Sequence, residues 1–552
     1  MDYKKLAELL FPHIDKTVED CFKKYPPRKL SEGAVVTRVA PSPTGEPHIG
    51  TLYQCVLDSK VASQSKGIFI LRIEDTDSKR EVVGGVEKIF QMMQNFDSTS
   101  DEGVVSGSKE IGNYGPYIQS ERKELYQIFA KELVSRGKAY PCFCKDEDED
   151  ENESKNKIRN EEQRKAGVPL GYHTKWATCR NLNFEQIKAK LDAGEKFTIR
   201  IRSNGDGRQR IVLFDEVRGD FSIPRNFVDS VILKSDGQAV YHMGHLVDDS
   251  LMYVTHVMRD ESYLSTWPLH VQMFEFLGLT PPKYIHTAQI MTIDKVTGNA
   301  RKVSKRHDPW ARVSWFAENG YPSIALKEYC LNLLNSSFEP WREKNPEAPL
   351  SEFVFSIPNM SKSGAMFDLA KLNDISKNII GRMTAEEVYE NVLKWAEEYD
   401  EGFAQILKKD REKAVGTFAI ERYVPRPRKD VYMWSMVQDT LSYMFFAPTT
   451  FEIENEEKTK CKEVLDAYVN VYNTSDTKEE WFASIKIMAD KLGYATDNKA
   501  YKADPTAFKG NVADVCRYIR IALVGKKDSP DMYEIARVLG KEEVIKRLNS
   551  FK

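Results

Sequence analysis

Cysteine is scarce in this chain. There are eight in 552 residues, and five of them, Cys21, Cys55, Cys330, Cys461 and Cys516, are scattered singly. That usage excludes a disulfide-stapled secreted scaffold and fits a reducing cytoplasm. Long apolar runs are missing as well. No stretch approaches the ~18 residues needed to cross a bilayer, so no membrane partner is expected. The Met1–Leu10 segment carries charges where a secretory signal needs an apolar stretch, and it reads as a short amphipathic helix. An excess of one charge is also lacking: 80 Lys and Arg against 83 Asp and Glu leave a net charge of −3. This excludes a uniformly basic nucleic-acid coat and a polyanionic tail, but leaves room for a local basic face. Internal repeats are absent. What is present is apolar material for packed cores, 41% hydrophobic and 11% aromatic residues. At ~100–200 residues per domain the length implies three to five domains.

After a segment closed by Pro26-Pro27, the run Ala34–Ala40 is β-branched and apolar without alternation, as in a strand covered on both faces. Pro41-Ser-Pro-Thr-Gly-Glu-Pro47 must be a loop. Helical spacing begins at Ile49, with Leu52, Val56 and Val61, and Ile68–Ile73 is a second buried strand ending in Glu74-Asp-Thr-Asp77. Strand, helix, strand is a βαβ unit, and ligands of such sheets sit at the carboxyl ends of the strands. Buried-strand signals recur at Ser230–Lys234 and Leu251–Met258, so the parallel sheet is expected to be interrupted by an inserted domain and then continued. The insertion contains an acidic run at 146–153, read as a solvated loop. Beyond about residue 311 the strand signals fade. Asp374–Leu393, Val431–Phe446 and Tyr533–Leu548 have helical spacing, with Gly381 and Gly540 as breaks.

Two motifs carry chemistry. His48-Ile-Gly50-Thr51 opens the first sheet helix, where an imidazole and free N–H groups can meet a phosphate and a glycine lets a planar group approach the backbone. Arg301-Lys-Val-Ser-Lys-Arg306 sets four cations around one serine in a stretch without helical pattern, with Gly298-Asn299 upstream. Either motif alone reads as ordinary capping or a solvated basic loop. Together, at a sheet end and beyond the last sheet strand, they read as a polyphosphate clamp in which Lys302 and Lys305 offset developing charge.

With these motifs the chain resembles class I aminoacyl-tRNA synthetases, whose two signature sequences look like His48–Thr51 and Lys302–Arg306. The finer similarity is to bacterial-type glutamyl-tRNA synthetases. It rests on Thr37–Gly45, Arg72–Asp77, Gly115–Arg122 and Val254–Arg259, and extends through Phe508–Asn511 and Leu539–Glu542, covering roughly residues 34–552. The implied fold is α/β: a split Rossmann-like parallel-sheet catalytic domain with an α/β insertion, then an all-α anticodon-binding region. The implied divisions are an extension at 1–33, catalytic halves at 34–136 and 227–310, an inserted acceptor-binding domain at 137–226, a stem-contact region at 311–380 and a helical anticodon-binding domain at 381–552. The extension has no assigned role beyond packing against the edge of the first strand.

The resemblance implies glutamyl transfer to tRNA(Glu) through a glutamyl-adenylate, with Mg²⁺-ATP consumed and glutamate bound in a pocket. The ATP residues implied are His48, Gly50, Thr51, Lys302, Ser304 and Lys305; the glutamate residues are Arg38, Ser42, Glu74, Tyr241, His245 and Arg259. Two strand-end arginines suit bidentate pairing with carboxylates, and Glu74 suits the ammonium. His245 stands where similar enzymes carry Asn, so it is expected either to touch glutamate and titrate or merely to pack near the site. Cys142, Cys144 and Cys179 resemble the zinc ligands of some relatives. The fourth ligand is unassigned: Asn181 replaces a helpful His, Lys175 replaces a common Tyr, and His173 is a substitute. Arg426, Arg428 and Lys429 are candidate phosphate contacts or simply a solubilising turn. A cytoplasmic monomer is expected. Charging of both tRNA(Glu) and tRNA(Gln), and a non-catalytic tRNA-binding role, stand as the alternatives.

Overall fold

Asp2 opens α1 (Tyr3–Leu10), whose Leu6, Ala7 and Leu10 are buried, and a Thr17–Asp20 capping box opens α2 (Val18–Lys24). Both helices pack on α5 (Lys123–Ser135). Lys131 of α5 donates to Ile14 O at 2.6 Å, and Gln127 meets His13 Nε2 at 2.8 Å. The extension therefore rests on a helix and not on the edge of the first strand. These elements belong to the computed structural model of the chain, which describes residues 1–77, 81–106, 109–144 and 150–551. Two compact units make up the fold: Met1–Trp315 with Lys327–Asp368, and Phe316–Leu326 with Leu369–Lys552.

In the first unit, β1 (Val36–Val39), α3 (Ile49–Gln64) and β2 (Ile68–Leu71) form the βαβ unit legible in the sequence, with β1 and β2 parallel from Val36↔Ile68 to Val39↔Leu71. After α4 (Gly85–Asn95), β3 (Glu102–Ser106) adds in parallel to β2, and β4 (Lys109–Ile111) turns back along it. A small antiparallel sheet joins β5 (Ala139–Cys142) to β6 (Thr198–Ile201), with α6 (Asp150–Lys165) and α7 (Phe184–Asp192) between them in the chain. Of the acidic run, residues 146–149 lie outside the described residues, and 150–153 begin α6 with side chains that are likewise outside. A hairpin follows, β7 (Arg210–Asp215) and β8 (Gly219–Pro224), then β9 (Val231–Leu233).

Here the strand pairing departs from the sequence reading. β9 pairs antiparallel with β6, whereas β7 pairs with β11 (Lys283–Thr287) of the parallel sheet. A short apolar run announces a covered strand but not its partner. Leu251 likewise ends α8 (Tyr241–Leu251), and the strand itself, β10, is His256–Asp260. Past α9 (Trp267–Leu277), β11 lies parallel to β10. Thr255 N donates to Val36 O at 3.0 Å, so β10 runs beside β1. Strands β3-β2-β1 lie on one side and β10-β11 on the other, and the order in which the chain adds strands reverses between β1 and β10, where ligands of such sheets bind. β12 (Ile290–Ile293) and β13 (Ala300–Lys302) then form an antiparallel pair carrying the basic motif.

The second unit is helical and holds no ladder strand among the described residues. Helices Ala385–Tyr399, Lys458–Val471, Lys478–Lys491, Val512–Val524 and Met532–Ser550 bury one core that includes Val392, Leu465, Ile485, Ile519 and Val544. The break expected at Gly540 is a kink with φ at 77°, a left-handed value that glycine adopts at little cost. Gly381, by contrast, lies within the helix Leu369–Arg382, and the break follows at Thr384, whose side chain caps the next helix.

Candidate active site

The mouth of the sheet is built from β1, β2, β10 and the start of α3. His48 caps α3: its Nδ1 accepts from Gly50 N at 2.9 Å. That bond puts the proton of a neutral imidazole on Nε2. A Cβ at Gly50 would stand 3.1 Å from His48 Nδ1, so a bare backbone suits this first turn. Burial, with help from Lys305 and Lys302, holds His48 below the ordinary histidine range. Thr51 N bonds to His48 O at 2.8 Å.

The basic motif reaches the same place. Lys305 Nζ donates to Glu46 O at 2.7 Å, two residues before His48, and Val303 offers its backbone carbonyl to His48. Arg301 ties the loop down through two 2.7 Å bonds to Asp308 and one of 3.1 Å to Asp294. Ser304 N joins Asp308 Oδ2 at 3.0 Å. Lys302 projects outward, 3.8 Å from Asp260. The fold thus brings together two motifs more than 250 residues apart.

The pocket arginines are buried at the strand ends. Arg38 turns Nε to Asp249, 3.3 Å from each carboxylate oxygen. Arg72, fully buried, bonds Asp249 at 2.8 Å and lies 3.6 Å from Asp248 and 3.5 Å from Glu74. Asp248 also accepts from Arg122 at 2.6 Å, Gln119 at 3.0 Å and Tyr126 at 2.9 Å. Glu74 sits beside this network, and burial raises its carboxyl to about 7 although Arg72 and Arg38 oppose the shift. Arg259 is 4% exposed and donates to His286 Nε2, His270 Nδ1 and Tyr241 OH at 3.0, 2.9 and 3.5 Å. Its Nη2 is buried with no partner. Ser42 is exposed in the loop after β1.

His245 packs behind the pocket, the second of its two readings. It is fully buried, with Nδ1 at 2.6 Å from Asp249 and Nε2 at 2.9 Å from Tyr284 OH. Both ring nitrogens are committed, and burial pushes its pKa down to about 4, so it does not titrate near neutrality. The Asp248–Asp249–Arg72–Arg122 network and His270 and His286 were not singled out from the sequence. The one available signal was an adjacent pair of acids in the otherwise apolar α8 segment.

The three motif thiols do meet. Ligand atoms of Cys142, Cys144 and Cys179 lie within 4.8 Å of one another. Hydrogen bonds from Cys142 and Cys179 draw the Cys144 thiol below the ordinary cysteine range, and the same contacts raise Cys142. His173 does not join them; its Nε2 bonds Pro169 O at 2.7 Å. Beside the sulfurs are Tyr172 OH, 3.6 Å from Cys142 Sγ and 3.4 Å from Cys144 Sγ, and Thr178 Oγ1, 3.7 Å from Cys144 Sγ. In the second unit Arg428 bonds Asp430 at 3.0 Å, Lys429 bonds Asn378 at 2.6 Å and Arg426 is exposed.

A parallel sheet with a phosphate-type helix start, a lysine loop brought to it and a switch of strand order beside them define a class I tRNA synthetase. The family described as "tRNA synthetases class I (E and Q), catalytic domain" matches residues 34–374, and "Anticodon binding domain" matches 387–552. Within that class the chain belongs to the glutamate–tRNA ligase family. It is 45% identical to the glutamate–tRNA ligase of Acetivibrio thermocellus over 555 residues, 99% of each chain, and 42% identical to that of Clostridium perfringens across 100% of both. The crystal structure of a glutamate tRNA ligase from Elizabethkingia meningosepticum in complex with its amino acid superposes with a TM-score of 0.72 at 25% identity, covering 94% of this chain and 100% of that one. No helix among the described residues is long and apolar enough to cross a membrane.

Proposed function

We propose that the chain ligates L-glutamate to the 3′ end of tRNA(Glu) in two steps, adenylate formation from Mg²⁺-ATP and transfer to the terminal ribose. The observation that carries this reading is the meeting of Lys305 with the residues just before His48, beside a pocket holding a buried arginine that no carboxylate partners. On ATP binding His48 exchanges its N–H bond to the Val303 carbonyl for one to a phosphate oxygen, without adding charge. Lys302 and Lys305 offset the charge that develops as diphosphate leaves, while Gly50, Thr51 and Ser304 supply backbone and hydroxyl contacts to ATP. The step demands in-line positioning and charge stabilisation more than proton transfer, which suits a site of cations, backbone and a neutral imidazole.

Arg38 and Arg259 take the two carboxylates of glutamate, Glu74 its ammonium, and Tyr241 and Ser42 donate hydroxyls. His245 works one layer back, holding Asp249, which in turn orients Arg38 and Arg72. The helical region after residue 380 reads the anticodon arm, with Arg426 better placed than the paired Arg428 for a phosphate.

The cysteine cluster fits zinc. Three thiol donors converge within 4.8 Å of one another, and Tyr172 OH lies beside two of the sulfurs. Zinc there would fix β5 and the Tyr172–Cys179 segment of the insertion, a structural role apart from the chemistry. Metal analysis of protein purified without added zinc should return about one equivalent, and a Cys144→Ser variant should lose it.

ATP–diphosphate exchange with glutamate and with glutamine, each with and without purified tRNA, tests the main reading. Exchange dependent on glutamate supports it; no glutamate-dependent activity with any tRNA sinks it.

A further inference from the structure

Arg259 is held in an unusual way for a buried cation. Arg72 and Arg122 contact aspartates directly, but the described partners of Arg259 are two imidazoles and a phenol. A guanidinium offers only donors, so His286 Nε2 and His270 Nδ1 must both present lone pairs to it. Their protons are then on the far nitrogens. His286 Nδ1–H goes to Asp215 Oδ2 at 2.7 Å, and His270 Nε2–H to His242 Nδ1 at 2.9 Å.

Asp215 is anchored in turn. Its Oδ2 also accepts from His286 N at 3.0 Å, and its Oδ1 accepts from Val217 N and Arg218 N at 2.9 Å each. The aspartate that fixes the cradle is therefore one imidazole ring away from the guanidinium. The Tyr284 ring, 4.9 Å from Arg259 Cζ, and the Tyr263 ring, 5.5 Å away, complete uncharged surroundings. Burial, the largest influence on each, holds His242, His270 and His286 below the ordinary histidine range, in keeping with neutral rings.

We propose that His270 and His286 are positioning residues that aim Arg259 at a carboxylate of glutamate while leaving its charge unneutralised. An aspartate in either place would orient the guanidinium equally well but would satisfy it, and the ligand would then meet a completed ion pair. A hydrocarbon would leave the charge intact but free the group to turn. Neutral imidazole, locked in one tautomer by Asp215 or His242, does neither. The buried, unpartnered Nη2 is the donor such a ligand would complete. This inference rests on the reading of Arg259 as a glutamate contact.

The test uses the full-length enzyme with its tRNA and compares His270→Asn, His270→Leu and His270→Asp. Asn keeps an acceptor where Nδ1 stands, Leu removes it, and Asp adds the charge the cradle avoids. The expected KM for glutamate is within about threefold of the parent for Asn, raised on the order of tenfold for Leu and on the order of a hundredfold for Asp, while kcat at saturating glutamate and KM for ATP change less than about threefold. Thermal melts check folding, and His286→Gln against His286→Leu repeats the comparison at Nε2 if the Asp variant fails to fold. Asn and Leu behaving alike, Asp no worse than Asn, or an effect on kcat in place of KM would overturn the proposal. Arg259→Gln separates the two layers. If it leaves the glutamate KM unchanged, the reading of Arg259 falls; if it raises KM while the His270 variants behave alike, only the cradle falls.

Discussion

Glu74 is a carboxyl at the mouth of the pocket whose proton is in play near neutrality. Burial lifts it to about 7, and the arginines on either side do not bring it back to the ordinary carboxylate range. An incoming ammonium favours the ionised form, so below pH 7 glutamate binding must expel a proton. The expected result is a glutamate kcat/KM that falls as pH drops through about 7, with a Glu74→Gln variant at least tenfold weaker and flat over the same window. Stability runs the other way. A carboxyl raised on folding stabilises most below its unfolded value, and that contribution is lost as pH rises through the folded pKa. Glu74→Gln should therefore gain melting temperature relative to the parent between pH 5 and pH 8. His245 supplies the contrast: with its pKa pushed down to about 4, His245→Asn should leave the pH profile of the glutamate KM unchanged between pH 6 and 8. The identity of residue 245 was visible in the sequence, but its environment was not. Titration near neutrality is the default for an exposed imidazole, and only the fold reveals complete burial between Asp249 and Tyr284.

At the scale of elements, the βαβ unit was legible because strand, loop and helix each left an independent mark: β-branched residues, prolines, then apolar spacing from Ile49. The two misplaced features, β9 and the start of β10, are short apolar runs without such punctuation. A run of that kind can pair in either sheet, or close a helix as Leu251 does. The lysine loop shows what motif reading omits. Lys302 and Lys305 stand out by composition, yet their placement depends on Arg301, which bridges Asp294 and Asp308. Replacing Asp308 with Asn breaks a bidentate pair at the base of the loop. Exchange activity is expected to drop on the order of tenfold, mainly through kcat, with the glutamate KM nearly unchanged. The extension makes a stability prediction. Arg28 donates to both oxygens of Glu102 at 2.8 and 2.9 Å and to Met252 O at 2.7 Å, with its guanidinium 3.9 Å from the Tyr114 ring. Arg28→Ala leaves the largely buried Glu102 with the Tyr117 hydroxyl but without its cation and should cost about 3 kcal/mol in chemical denaturation, since breaking a buried pair strands the remaining charge.

Across the whole molecule, the net charge of −3 is uninformative because it averages groups that do different work. The pocket cations Arg38, Arg72 and Arg259 are buried and lie within reach of fixed partners, whereas Lys305 and Arg426 are exposed and Lys302 is mostly so. Motif residues are readable from a sequence because type and spacing carry them. The groups that aim those residues, Asp248, Asp249, His270 and His286, come from elements far apart in the chain and acquire meaning only once the sheet has assembled. The two sets of cations should also respond differently to salt. Exposed lysines and arginines that neutralise phosphates release condensed counterions on binding, so the logarithm of tRNA affinity should fall linearly with the logarithm of salt concentration. With about five phosphate contacts the slope is about −4, a loss on the order of 10² between 50 and 200 mM NaCl. The Debye length shrinks over that range, but a buried pocket is little screened, so the glutamate KM measured at saturating tRNA should shift less than about twofold. Filter binding across a salt series, run beside exchange kinetics at the same concentrations, separates the two. Parallel salt dependence of tRNA affinity and glutamate KM would mean that the pocket arginines are solvent-screened, contrary to their burial.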